Sequence, residues 1–190
     1  MLRPRKPAED LGPDNSKLNV MPRMRVLRYT FFAALVMASA VSAAAALKVG
    51  SSSIGSIKIG MHLTKIPVRL EEPIQRTAFN AAGSCFYVNP SSGPRFHMMI
   101  EGDVLTRFDV TEPGIETKEG VAVGDPIKKV KDTYAEAAIE SPNFYDDAQP
   151  EFTIDSKDGR YSLRFSTYDG KVTAIIAGRS KSVRYVEGCL

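Results

Sequence analysis

Three features of the sequence predict an α+β fold: an antiparallel sheet with two short helices packed on one face, built from two similar helix-hairpin units. The first is a chain of 190 residues, 43% of them hydrophobic, which suffices for the core of one ordinary domain. The second is a pair of strand-like stretches sixty-four residues apart, Ile57-Lys58-Ile59-Gly60-Met61 and Val121-Ala122-Val123-Gly124-Asp125. The third is that each stretch leads into helix-like periodicity and then into two apolar runs joined at a glycine turn. The predicted domain covers 44–190, with its units at about 54–110 and 118–190.

The segment before that domain reads as removable. Residues 1–23 are polar and Pro-rich, with later methionines at Met21 and Met24, and read as disordered or as a start placed too early. Residues 24–43 have the order of a signal peptide: Arg25 and Arg28, an apolar run from Thr30 to Ala38, then small residues with Val41-Ser42-Ala43 as the cleavage triplet. Cleavage near Ala43 predicts a periplasmic or secreted protein with no stable membrane span. The competing reading is an uncleaved anchor over Tyr29 to Leu47, about as long as the roughly 20 residues a bilayer needs but weakly apolar in its second half.

In the first unit, Ile57–Ile59 reads as a strand and Gly60 as a sharp backbone turn. Thr64 is the candidate cap of a helix that Pro67 and Pro73 hold to little more than two turns. Cys85 to Val88 reads as a short strand. Phe96 to Ile100 and Val104 to Val110 form a hairpin around Gly102.

The second unit repeats this order. Gly124 is the turn, Asp125 the N-cap with Pro126 at N1, and Ile127, Val130, Tyr134 and Ala138 one helix face. Phe152 to Ile154 is a further strand, turning at Lys157-Asp158-Gly159. Tyr161 to Thr167 and Val172 to Gly178 then pair around Gly170, at an offset of 68 from the first hairpin. In Tyr161 to Thr167 the alternation predicts one buried face and one wetted face carrying Ser162, Arg164 and Ser166. Val183 to Val186 reads as a final strand. Gly60, Gly124, Gly102 and Gly170 are therefore structural turn residues, and the connections Asn89–Arg95, Thr111–Gly120 and Ser141–Pro150 are the places for specific binding.

Charge excludes one class of partner. The chain carries a net +3, but residues 1–43 hold seven basic side chains against three acidic ones, leaving 18 basic and 19 acidic in the predicted domain. Such an interspersed surface does not track phosphate, so no nucleic-acid partner is expected.

Candidate chemistry is sparse. Cys85 and Cys189, two cysteines in an exported chain, read as a disulfide rather than as a nucleophile served by His97. His62 has no ligand-type residue three or four positions away, and the Glu101 that follows His97 lies across a strand and turn, so no metal site is expected. Asp155 to Gly159 resembles the start of a calcium loop, but its twelfth position is Ser166. Gly50 to Gly55 has phosphate-loop spacing without the Lys-Ser/Thr. Asp146, Asp147 and Glu151 crowd one loop, poorly placed to flank a glycosidic bond. Beside them, Phe144 and Tyr145 are candidates for an interaction loop with Asp146 and Asp147, although packing back onto the sheet is the commoner fate of such rings.

The order Ile-Gly-x-Ile-x-Ile-Gly-Met, Cys-Phe-Tyr-Val, Val-x-Val-Gly-Asp, Phe-x-Thr-x-Asp-Gly-x-Val and a terminal Tyr-Val-Glu-Gly-Cys, over residues 54–190, resembles a group of small uncharacterised exported bacterial proteins. More distantly, the strand-Gly-Met-helix-hairpin unit is similar to the tandem repeats of β-lactamase inhibitor proteins and to small outer-membrane assembly lipoproteins. The resemblance implies protein binding without catalysis. Two departures stand: this chain has no lipidated cysteine, and its cysteines join the units rather than closing each one. The expected function is a non-enzymatic protein- or ligand-binding module of the envelope with an envelope or secreted protein as partner, no cofactor and no catalytic residue. The alternatives are a small hydrolase or carbohydrate-active enzyme and a structural envelope protein.

Overall fold

Long alternating runs build a seven-stranded antiparallel sheet. In a computed structural model that describes residues 47–71 and 85–189, all within one compact unit, Ala43–Leu190, its strands are β4 (Cys85–Val88), β5 (His97–Glu101), β6 (Val104–Val110), β8 (Ile139–Pro142), β9 (Pro150–Asp155), β10 (Tyr161–Tyr168) and β11 (Lys171–Arg179). Their order is β4-β5-β6-β11-β10-β9-β8. A smaller sheet, β3-β2-β1-β7, is made of β1 (Lys48–Gly50), β2 (Ser53–Ile54), β3 (Ile57–Lys58) and β7 (Glu116–Thr117), with one parallel pair, β1 with β7. The helices are α1 (Ile127–Tyr134) and the four-residue α2 (Ser180–Val183). The molecule is thus mostly sheet. The readings of 1–23 and 24–43 lie outside the described residues.

One face of the large sheet holds the core. Phe86, Ile100, Leu105, Phe108, Phe152 and Phe165 are fully buried there, with Val130 of α1 and Val49, Ile54 and Ile57 of the small sheet in the same cluster. Each such side chain contributes about 1.5–3 kcal/mol through the apolar area it removes from water. Ile127 and Tyr134 pack against the cluster from the same face of α1, as the three-and-four spacing requires.

The first predicted helix is not there. After Gly60 only a 3₁₀ turn, Leu63–Lys65, forms, capped by the His62 ring rather than by Thr64. Pro67 stops the chain before a second turn can close. In the second copy Pro126 occupies the N-cap position, without a side-chain cap bond, and Ile127 is N1. Asp125 instead accepts from the Ala122 amide at 2.7 Å and from Lys129 Nζ at 2.7 Å. Val121 to Val123 is not a strand either; Ala122 makes an isolated bridge to Glu116.

What recurs is how a glycine turn docks on a hairpin. Gly60 and Gly124 both have φ of 94°, a region open to glycine and strained for other residues. The Gly60 amide donates to Leu105 O, and the Leu105 amide to Met61 O; the Gly124 amide donates to Val172 O, and the Val172 amide to Asp125 O. Leu63 N to Asp103 O is matched by Ile127 N to Gly170 O. These pairs put Leu105 against Val172, an offset of 67, not the 68 obtained by aligning Gly102 with Gly170. Both turns have two central residues of positive φ, Gly102-Asp103 and Asp169-Gly170, so the glycine takes the first place in one turn and the second in the other.

The C-terminal strand predicted over Val183–Val186 is also replaced. Both edges of β11 are occupied, by β6 and β10, so the chain leaves the sheet through α2 and folds back across its second face. Val183 is fully buried beneath that turn.

Candidate functional site

The second face of the large sheet is polar, and half of it is covered. Cross-strand pairing places Tyr87, Met99, Arg107, Gly178, Ser162 and Asp155 in one row across six strands. His97, Asp109, Ile176, Arg164, Thr153 and Ile139 form the next row. The expectation that this face of β10 is wetted fails: Ser162 and Arg164 are buried. Hydrophobic alternation identifies the core face, but it does not report a polar segment that returns to cover the other.

That segment is the tail 180–189, and arginines lace it down. Arg107 donates to Ser182 O at 3.0 Å, and its Nε and Nη2 bind the two oxygens of Asp109 at 2.6 and 2.7 Å. Arg184 Nη2 reaches both oxygens of Asp155 at 2.8 Å. Ser182 and Tyr185 hydroxyls donate to Glu101 at 2.7 and 3.3 Å. The tail ends at the disulfide Cys85–Cys189, which joins it to β4.

The ionisation states follow from these contacts. Burial disfavours the charged form of Arg107, but the Asp109 carboxylate outweighs it and holds the guanidinium charged more firmly than usual. Burial and then the Asp109 charge push the Tyr87 phenol up to about 12. Burial would raise Glu101, yet hydrogen bonds from Thr106, Ser182 and Tyr185 leave it below the ordinary carboxylate range. Arg164 goes the other way: burial lowers it, and the Glu151 carboxylate only partly compensates.

The predicted interaction loop stands beside the tail. The Asn143 side chain accepts from the Tyr145 amide at 2.8 Å, and Asp146 Oδ1 accepts from the Ala148 amide at 3.0 Å, which closes the loop on itself. Phe144 and Tyr145 do not pack back onto the sheet: they are 74% and 66% exposed, edge to face with ring centres 5.1 Å apart. The Tyr145 hydroxyl donates to Glu187 of the tail. Asp147 is exposed beyond them.

Loop and tail thus line two recesses. A groove of about 630 Å³ runs between Phe144 and the Tyr185–Cys189 segment, with Cys85 and Glu101 at its base. A smaller pocket of about 140 Å³ shares Phe144 and Val186 with it and reaches Arg164, Glu151 and Ile176. No separate motif in the sequence marks Arg164 or Val186; alternation at position 164 and proximity to Cys189 were the available signals.

The other candidates are dispersed. His97 on β5 is exposed, with Nδ1 2.8 Å from Asn89 Oδ1, while Glu101 is engaged by the tail. Among the described residues no group of three or more His, Cys, Asp or Glu side chains is placed to hold a metal ion. No helix among them is long and apolar enough to cross a membrane. Gly102 and Gly170 sit at hairpin tips and line neither recess, although Gly102 follows Glu101 of the larger groove.

The chain has a distant structural neighbour. It is similar to the uncharacterized protein yfeY from Escherichia coli, at 17% sequence identity and a TM-score of 0.44, over 70% of this chain and 99% of that one. No family model and no curated protein matches.

Proposed function

We propose that this chain is a non-enzymatic binding module of the bacterial envelope, exported by removal of a signal peptide near Ala43 and recognising an envelope or secreted protein through the loop-and-tail face. The observation that carries this reading is the Phe144–Tyr145 pair, held by a closed loop with most of both rings in solvent beside a groove. Exposed aromatics on a fixed support are favoured interface anchors, since little side-chain freedom is left to lose on binding. The Cys85–Cys189 disulfide suits an oxidising compartment. The duplication read from the two glycine stretches belongs to the same proposal, and the matched hydrogen bonds of Gly60 and Gly124 support it.

The test is a pull-down from envelope extract with the parent chain and an F144A/Y145A variant, followed by titration of the purified captured protein. Binding weakened about tenfold or more by the double substitution, with an unchanged melting temperature, is expected. If no protein is enriched on the parent over the variant, the loop is not the binding surface.

A further inference from the structure

Three arginines and three carboxylates meet on the second face, and one pair is left loose. Arg107 with Asp109 and Arg184 with Asp155 each make two hydrogen bonds of 2.6–2.8 Å. Arg164 and Glu151 approach only to 3.7 Å. Glu151 Oε1 accepts from Asn143 Nδ2 at 3.1 Å and from Ser166 Oγ at 2.8 Å, and it is the other oxygen, Oε2, that faces Arg164. Arg164 is 9% exposed; its one hydrogen bond is a long 3.4 Å contact to Tyr185 O, and its buried Nε has no partner. A buried donor without an acceptor is costly, and a guanidinium answers best to a planar carboxylate.

We infer that the 140 Å³ pocket at Arg164 takes a ligand carboxylate carried on a short aliphatic group. The volume holds about five waters' worth of material, a carboxylate with three or four carbons. Ile176 and Val186 supply the apolar wall, and Phe144 stands at the mouth. A phosphate fits less well, because Arg107 and Arg184 are each already engaged by a carboxylate, Asp109 and Asp155, and Glu151 repels a second negative charge. This inference rests on the reading of the face as a binding surface and adds what it recognises.

The experiment is calorimetric titration of the full, disulfide-bonded protein with N-acetylvaline and with its uncharged isostere N-acetylvalinamide, on the parent, R164Q and E151Q. The acid is expected to bind about tenfold tighter than the amide. R164Q should abolish the difference. E151Q keeps the hydrogen-bonding shape of Glu151 without its charge and should tighten acid binding several-fold. Because R164Q removes a buried side chain, E151Q decides if that variant does not fold.

Equal binding of acid and amide, or E151Q leaving acid affinity unchanged or weaker, overturns the proposal. A third arm separates a free acid from a peptide C-terminus, using an acetylated tetrapeptide that ends in valine. A peptide that binds tighter than N-acetylvaline and loses that gain in F144A identifies a chain terminus lying in the groove. Peptide and acid binding alike, both dependent on Arg164, sustain the carboxylate site as one for a free small acid and set aside the groove reading alone.

Discussion

Gly188 is seated against Tyr87. A Cβ built on it would overlap the Tyr87 hydroxyl oxygen and stand 3.1 Å from Arg107 Nη2, and its φ of 68° is left-handed. The glycine of the terminal Val-Glu-Gly-Cys is therefore the point where the tail passes over the buried Arg107.

This seat predicts that G188A destabilises the fold by about 2–4 kcal/mol, from left-handed strain together with overpacking against a fixed ring. Adding Y87F removes the oxygen the methyl group meets and should recover part of that loss. Urea denaturation of the single and double variants measures both. A G188A chain as stable as the parent would mean that the tail does not rest on Tyr87.

The disulfide closes a loop with a sequence separation of 104 residues. By the chain-entropy argument it stabilises by at most about 4–5 kcal/mol. C85S/C189S should lose a large part of this, and thiol titration of the unfolded, non-reduced protein should find no free thiol. Two free thiols would contradict the pairing directly.

Alkaline titration reads the covered face. The Tyr87 phenol moves from 10.0 to about 12, and burial holds Tyr134 above its ordinary value as well. A raised folded value means that Tyr87 contributes stability that is complete below pH 10.0 and is lost as pH rises towards about 12. Between those limits, phenolate absorbance of the folded protein should fall short of that of the same chain after denaturation. Full ionisation of the folded chain at pH 10.0–11 would place Tyr87 in solvent.

Several elements were legible because their signals are local. The hairpins around Gly102 and Gly170 follow from period-two alternation and from turn residues that accept positive φ. The Ile127–Tyr134 helix follows from its apolar spacing. The first helix does not form because Leu63, Ile66 and Leu70 match a helical face in spacing while Pro67 denies it the backbone bonds. Periodicity and chain-breaking conflict there, and the chain break wins. The helical start at Asp125 failed for a related reason: Lys129 and the Ala122 amide compete for the same carboxylate.

The candidate site was half legible. Phe144, Tyr145, Cys85 and Cys189 could be singled out by residue type, but nothing local shows that a loop at 143–149 and a tail at 180–189 stand side by side. For Arg164, alternation assigns a side of the sheet and says nothing of what returns to cover it.

By itself the sequence determined the two glycine-turn hairpins, the Ile127–Tyr134 helix, the balance of charge and the pairing of two cysteines, all carried by residue type and short-range spacing. Tertiary structure alone decided that the tail covers part of the second sheet face, that its Arg184 meets Arg107 and Arg164 there and that Arg164 is left with the loosest partner. Those facts depend on contacts between residues far apart in the chain, where the packing geometry, and not the local pattern, sets which charges meet.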